Sequence, residues 1–318
     1  MNRSGLALAL CASLALSGCS LRTVAVRKVA DYLASGGATW SSEDDPELIR
    51  DALPFALKTM EGLLAESPRH PGLLLGLCRG FASYAGGFLE PDAAALEADD
   101  YNAARELRER ARRLHLRARG YCLRALDERF AGAGQALARE PDAALARIPR
   151  DGVELLFWTG AAWGSAIGLG LDRPELVADL PVVRAIFERA LVLDESWDRG
   201  SLHEVMIGFD SFPPAMGGNF ARAGRHFARA LELSAGRRAG PYVTWARLST
   251  VPRQARGEFR EMIAKAQAVD PDASVEDRLA NRIAQRWATI LEQRIDDYFF
   301  VEDEASETSE ENSHDDPN

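Results

Sequence analysis

The sequence of 318 residues predicts an all-α fold of stacked helical hairpins that form an α-solenoid. Three observations support this class. Ala, Leu, Arg and Glu, which favour helices, dominate the chain. Apolar residues recur every three or four positions, whereas the two-residue alternation of strands is absent. Similar short phrases return after 40 and then 36 residues, which is typical of repeated helix pairs.

The N-terminus carries the features of a secretory signal. Arg3 precedes an apolar stretch, residues 6–16, with the length of a signal-peptide core and too short to cross a membrane. It ends in Leu-Ser-Gly-Cys, which is similar to a bacterial lipobox. We expect residues 1–18 to be a signal peptide, Cys19 to be lipidated, and residues 19–43 to hold the lipidated N-terminus and a first helix. An ordinary signal peptide with an incidental cysteine is the alternative.

A lipidated Cys19 predicts a protein on the periplasmic face of the bacterial envelope, anchored by acyl chains. No later segment shows a transmembrane-length apolar run, and Ser20 after the cysteine favours the outer over the inner membrane. That compartment permits disulfides. Cys78 and Cys122 lie in predicted helices and can pair only if those helices touch; two buried free thiols are the alternative.

Capping residues and prolines predict the bounds of the first long helices. Asp45 suits an N-cap and the proline after it suits a first turn, so a helix is expected over 46–67. Pro54 within it should cause a kink or a break. A second helix is expected over about 71–88, and a long arginine-rich helical region over about 93–130.

The arginine-rich region raises the question of a nucleic-acid partner. Its apolar residues recur at helical spacing and its arginines alternate with acids, which favours a solvated amphipathic face. Eight acidic residues and no Lys or Arg lie in 302–318, so the formal charge of −10 falls to −2 without this tail. We therefore expect no nucleic-acid partner, and we expect residues 301–318 to be a disordered acidic tail.

A repeated phrase organises the rest of the chain. Its Arg-Ala-Leu core occurs at 124–126, 189–191 and 229–231, and Ala266 continues the series. Helix pairs at such spacing resemble tetratricopeptide repeats, whose period is about 34 residues. Residues 44–300 are expected to form this helical domain, and residues 276–298 its capping helix.

The sequence offers no motif for catalysis. The five histidines lack metal-ligand spacing, and neither a phosphate-binding loop nor a serine-nucleophile motif is present. We expect no enzyme, no metal and no cofactor. A hydrolase that uses His203 and Glu204 is the rival hypothesis, although a buried, hydrogen-bonded histidine is the more common outcome.

Two tryptophans stand among alanines and glycines at residues 155–170. Trp158 and Trp163 would point about 140° apart on a helix, so they cannot share one narrow stripe. A helix that is apolar all round is central and buried, which predicts packing for at least one ring. The other ring can face a hollow, because large rings beside tiny neighbours leave irregular space.

Long blocks of the chain resemble the TatT component associated with TRAP transporters. These blocks are residues 44–68, 110–127, 155–168, 179–204, 221–234 and 278–288. The resemblance implies a periplasmic lipoprotein with a tetratricopeptide-like fold that forms homotrimers. It also implies binding to the solute-binding protein of the transporter, and a cavity that passes a small ligand, with a hydrophobic one suggested. It implies no enzymatic activity.

The resemblance supplies no ligand-contact residues, so candidates come from residue type alone. They are Tyr84, Tyr121, Trp158, Trp163, His203 and Asn281. The function predicted is a lipid-anchored scaffold that binds a solute-binding protein and hands it a small ligand. The alternative is a structural envelope lipoprotein whose helical repeats assemble proteins without a ligand.

Overall fold

The computed structural model of the chain describes residues 28–33 and 37–300. Within them every regular element is helical and none is a strand, which confirms the all-α prediction. The expectations for residues 1–18, for Cys19 and for 301–318 lie outside the described residues. After a helical stretch over 28–33, the α-helices are α1 (Gly37–Ser41), α2 (Pro46–Glu66), α3 (Pro71–Tyr84), α4 (Glu90–Leu96), α5 (Tyr101–Arg129), α6 (Ala133–Ala136), α7 (Pro141–Ala146), α8 (Val153–Gly168), α9 (Pro174–Val177), α10 (Leu180–Asp194), α11 (Ser201–Asp210), α12 (Phe220–Leu233), α13 (Gly240–Trp245), α14 (Arg256–Ala268), α15 (Arg278–Gln293) and α16 (Ile295–Tyr298).

Shorter helical elements join some of these helices. Two π-turns, Ala85–Leu89 and Ala246–Thr250, continue α3 and α13. Short 3₁₀ segments lie at Arg150–Gly152, Pro214–Met216, Pro271–Ala273 and Val275–Asp277, and a tight segment at Trp197–Gly200 precedes α11.

Helix α2 begins and ends where its sequence predicts. Asp45 Oδ1 accepts hydrogen bonds from the backbone N–H groups of Glu47 and Leu48, at 3.0 and 3.2 Å. These bonds satisfy donors that have no partner within the helix. The helix runs through Pro54 without a break and ends at Glu66.

The second predicted helix is longer than expected. Because the first π-turn joins α3 to α4 directly, helical structure runs over Pro71–Leu96, not 71–88. An 18-residue window within this 26-residue stretch has a mean hydropathy of 1.2, so the statement that no later segment reaches transmembrane length is wrong by length and composition alone. Of that apolar window, 61% is buried against other helices, as in the core helix of a packed domain.

The predicted region over 93–130 divides into two helices. A turn at residues 97–100 separates α4 from α5, and the Asp100 carboxylate accepts the backbone N–H of Ala103 at 3.0 Å. This N-cap starts a new helix direction at Tyr101.

The core is built around α3, α5 and α8. A disulfide joins Cys78 of α3 to Cys122 of α5, and the two Cα atoms are 5.0 Å apart. Helix α8 packs against both α5 and α10. Its glycines permit this close approach, since a Cβ at Gly160 would lie 2.7 Å from the ring of Phe187.

The alanines of the repeated phrase occupy equivalent buried positions. Ala125, Ala190, Ala230 and Ala266 are all at most 3% exposed, and each lies near the C-terminal end of its helix. A small side chain at this point lets the next helix approach, and successive pairs such as α11 with α12 and α14 with α15 are in contact.

The C-terminal helices return to the N-terminal ones. Asp92 of α4 accepts hydrogen bonds from Arg50 of α2 at 2.6 Å and from Arg286 of α15 at 2.7 Å. Arg278 donates to the carbonyl of Ser42, and Arg294 donates to the carbonyl of Ala94. The chain therefore closes on itself.

Candidate functional site

A cavity of about 450 Å³ that is open to solvent lies where the two ends of the chain meet. It lies among α3 with its π-turn, α8, α11, α13 with its π-turn, and α15. Its volume falls within the range of small-ligand sites, roughly 300–1,000 Å³.

Both π-turns border this cavity. Gly86 and Gly87 come from the first, and Arg247 comes from the second. A π-turn interrupts the regular helical hydrogen-bond pattern, and it is found preferentially at functional sites because it redirects side chains. The convergence of both π-turns of the described residues on one cavity marks it as the candidate site.

Aromatic and aliphatic side chains form most of the cavity wall. Phe157 and Trp158 meet edge to face with ring centroids 5.2 Å apart. Trp287 lines another side, with the Arg247 guanidinium 4.9 Å from its ring centroid. Ile283 and Val243 complete an apolar surface that suits the body of an amphipathic ligand.

Glu204 contributes a carboxyl group to the lining of the cavity. It comes from α11 and accepts a hydrogen bond from Thr244 Oγ1 at 3.2 Å. Gly240 makes room for it, because a Cβ there would lie 2.5 Å from Glu204 Oε1. Burial raises the pKa of Glu204, and the opposing effects of Arg238 and Thr244 do not cancel it. The side chain lies deep in the molecule but stays partly accessible, because it faces the cavity.

Arg238 anchors a charged cluster beside Glu204. Its guanidinium donates to Asp277 at 2.9 Å, to Asp198 Oδ2 at 3.1 Å and to the Asp198 carbonyl at 2.7 Å. Burial opposes ionisation of Asp277, but hydrogen bonds from Arg199 and the charge of Arg238 hold its pKa below the usual value. Asp198 and Arg199 have φ of 44° and 54°, a left-handed backbone that these bonds help to hold.

Asn281 has a structural part in the site. It is 1% exposed, its Oδ1 accepts the backbone N–H of Ala239, and its Nδ2 donates to the carbonyl of Arg237, both at 2.9 Å. These bonds fix the backbone on either side of Arg238, and so they position that guanidinium beside the cavity.

The structure brings two of the six predicted contact residues to the cavity. Trp158 and Asn281 line it, whereas Trp163 does not. Trp163 is 2% exposed, donates its indole N–H to Asp179 at 3.0 Å, and stacks against Arg119. The Trp163 indole is therefore packed in the core, whereas the Trp158 indole lines the cavity. Ligand contact by Trp158 stays a prediction.

The other three predicted residues lie away from the cavity lining. Tyr121 donates its hydroxyl to Glu61 at 2.6 Å, and Tyr84 packs beside Phe88. His203 lies 2.8 Å from His226, Nδ1 to Nδ1. Because one nitrogen must donate and the other accept, at least one of these imidazoles is neutral.

His203 and Glu204 have different surroundings, although they are neighbours in sequence. His203 contacts His226 and Glu195 in a buried outer position, whereas Glu204 faces the cavity. Burial lowers the pKa of His203 and lowers that of His226 to about 4. The hydrolase hypothesis requires His203 and Glu204 to act on each other, but His203 lies 3.3 Å from Glu195 instead, and Glu204 accepts its hydrogen bond from Thr244. No group of three or more metal-ligating side chains occurs among the described residues.

Sequence reasoning missed the polar cluster at Arg238. Its members come from positions as distant as Asp198 and Asp277, and only the closed fold joins them. The one local signal is Arg237-Arg238 directly before Ala-Gly-Pro, which places a cation at a helix start where an anion is usual.

A second cavity, a surface groove of about 1020 Å³, is larger and open to solvent to a similar degree. It lies between the start of α5 and residues 169–173, and its arginines at 105, 110 and 113 are exposed to solvent. We place the site at the inner cavity, because apolar walls and deep polar groups recognise a small molecule better than solvated charges do.

A family model described as "TRAP transporter T-component" matches residues 42–299 of the chain. A protein of Treponema pallidum (strain Nichols) with the name "Uncharacterized protein" is 28% identical over 306 residues, covering 89% of this chain and 94% of that protein. Every residue of the cavity lies within the range that the family model matches.

Proposed function

Because the chain belongs to the TRAP transporter T-component family, we propose that it binds the solute-binding protein of such a transporter and passes a small ligand to it. A transporter component acts at the cell envelope. The match over residues 42–299 carries this proposal. The family is not a known enzyme family, and the site described above receives a molecule without transforming it.

The proposed location is the periplasmic face of the envelope, with Cys19 lipidated after removal of residues 1–18 and the outer membrane favoured. The Cys78–Cys122 disulfide supports an extracytoplasmic location, because disulfides persist in oxidising compartments. An acyl anchor would keep the protein close to the transporter and raise the local concentration of whatever is handed over.

The proposed architecture for residues 44–300 is a tetratricopeptide-like stack of helical pairs, assembled as a homotrimer. The buried alanines of the repeated phrase support repeat stacking, since each marks a close helix contact. Such a stack offers a protein partner an extended surface, while the cavity of each protomer holds the ligand.

The partner proposal is tested by capturing the full-length lipidated protein from its own cells after mild crosslinking. Mass spectrometry should identify a TRAP-type solute-binding protein, and the purified pair should associate again. If the purified solute-binding protein does not bind, the partner proposal is wrong.

The ligand proposal is tested at the mouth of the cavity. Ala280 lines the cavity and is exposed, so Ala280→Trp should obstruct it without disturbing the core. Ala143→Trp, at an exposed helical position on α7, is the matched control. Small molecules extracted from the wild type and the control should be lost from Ala280→Trp, while partner binding persists. Unchanged extracts would instead favour the structural lipoprotein that assembles proteins without a ligand.

A further inference from the structure

Glu204 has no ion-pair partner among residues 28–33 and 37–300. Its hydrogen bond comes from the neutral hydroxyl of Thr244. Arg238 is the cation that acts on it, but the donors of this guanidinium are directed to Asp198, Asp277 and Ser201. A carboxylate in this position is therefore short of positive charge, which is costly in the interior.

The charges beside the cavity do not balance. Arg199 and Arg238 supply two positive charges, whereas Asp198, Asp277 and Glu204 supply three carboxyl groups. The exposed Glu276, which pairs with Arg199 at 2.9 Å, and the exposed Arg247 of the cavity lining offset each other in this count. One further cation would balance the buried groups, and the position left open for it is at Glu204.

Aromatic rings share the lining of this cavity with Glu204. Phe157 and Trp158 line the cavity together with Glu204, and their ring faces carry the negative side of the aromatic quadrupole. Aromatic faces beside a carboxylate attract organic cations, because both interactions act on the same positive group.

We propose that the cavity binds an organic cation, a protonated amine with an apolar body, whose ammonium group pairs with Glu204. This inference rests on the proposed function, because it names the chemical class of the ligand that the cavity passes on. The apolar body lies along Phe157, Trp158 and Trp287, where it displaces water from hydrophobic surface.

Two cations of the lining, Arg238 and Arg247, oppose this ligand. Asp198 and Asp277 pair with Arg238 and offset its charge, which leaves Arg247 as the main opposing group. Its side chain is exposed and stacks on Trp287, so solvent screens its charge. Glu204 lies deep, where charges are screened less and interact more strongly. The attraction at Glu204 therefore outweighs the repulsion from Arg247.

Binding should be linked to the protonation of Glu204. Burial raises its pKa, so the empty cavity favours the protonated acid, with Arg238 opposing and Asp198 reinforcing that effect. An ammonium group favours the carboxylate and lowers the pKa again. Amine affinity should therefore rise with pH through the titration of Glu204 and then level off.

The test is isothermal titration calorimetry of the full-length protein with three probes that share one apolar body. These are 4-phenylbutylamine, 4-phenylbutanol and 4-phenylbutyrate. The amine should bind on the order of tenfold more tightly than the alcohol, the equivalent of about one pKa unit, and the carboxylate should bind least. The amine preference should be smaller at about pH 5 than at about pH 8.

Two variants locate the effect. Glu204→Gln should abolish the preference for the amine over the alcohol, so that the two affinities become nearly equal. Glu276→Gln, which removes an exposed carboxylate from the same arginine cluster, should keep the preference. Equal affinities for amine and alcohol, tighter binding of the carboxylate, failure of all three probes, or a preference that survives Glu204→Gln would each overturn the inference.

Failure here is distinguishable from failure of the proposed function. Capture of the solute-binding protein, and loss of extracted molecules from Ala280→Trp, do not depend on the charge of the ligand.

Discussion

Replacing both Cys78 and Cys122 with alanine should lower the free energy of unfolding by about 4 kcal/mol. The disulfide joins α3 to α5, two helices that pack along each other at the centre of the core. Both cysteines are fully buried, so the bond is shielded from reductants while the protein is folded. Its stabilising effect should therefore come mainly from restricting the unfolded chain.

The magnitude follows from the length of the loop that the bond closes. The two cysteines are 44 residues apart, and the loss of unfolded-state entropy for such a loop corresponds to about 4 kcal/mol. The space left by the missing sulfur atoms adds to the loss. Since whole domains are stable by only about 5–15 kcal/mol, this bond supplies a large share of the total.

Urea denaturation followed by circular dichroism measures the effect. The midpoint of the double-alanine variant should fall well below that of the oxidised wild type and slightly below that of the wild type unfolded with reductant, which keeps its sulfur atoms. The variant itself should not respond to reductant. Equal midpoints for the variant and the oxidised wild type would refute the reasoning, because the bond would then restrict nothing in the unfolded chain.

Three further predictions concern charged groups. Glu204→Gln should raise the free energy of unfolding at neutral pH, by about 1.4 kcal/mol for each unit by which burial raises the pKa of Glu204. This gain in stability should vanish as the pH falls and Glu204 of the wild type becomes protonated. Thermal melts across a pH series measure it. Between about pH 6.5 and pH 4, the free energy of unfolding of the wild type should fall by about 2–3 kcal/mol more than that of His226→Gln. The reason is that His226 is protonated in the unfolded chain over this range, whereas in the folded protein its pKa is about 4. Denaturation at both pH values measures this difference. Asp92→Ala should lower the free energy of unfolding by about 2–3 kcal/mol, because Arg50 and Arg286 lose the acceptor that they share. Hydrogen exchange of the backbone amides in α15 should become faster.

Elements with local signals could be predicted from the sequence. The start of α2 followed from Asp45 and Pro46, because capping depends on a few adjacent residues. The family resemblance is confirmed by the match over residues 42–299. The central helix with Trp158 and Trp163 was predicted because its composition is apolar on every side.

Features that depend on distant contacts could not be predicted. Helical structure runs past residue 88, because the first π-turn, Ala85–Leu89, joins α3 to α4 without a break. The pairing of Cys78 with Cys122 stayed open, since it required knowing that α3 and α5 touch. Of the six candidate contacts, only Trp158 and Asn281 line the cavity, because residue type does not determine the direction of a side chain.

The residues of the cavity are far apart in the sequence, and they meet because the two ends of the chain pack against each other. The cavity takes Ala82 and Trp287 from opposite ends of the fold, and neither end can form a wall alone. Arg278 binds the carbonyl of Ser42, and Phe299 packs edge-on against Phe259, so the contacts that close the fold reach almost the same limits as the family match. These contacts make residues 42–299 one closed unit. A fragment of this unit would lose the buried position of Glu204, because the cavity around it takes its lining from helices along most of that range.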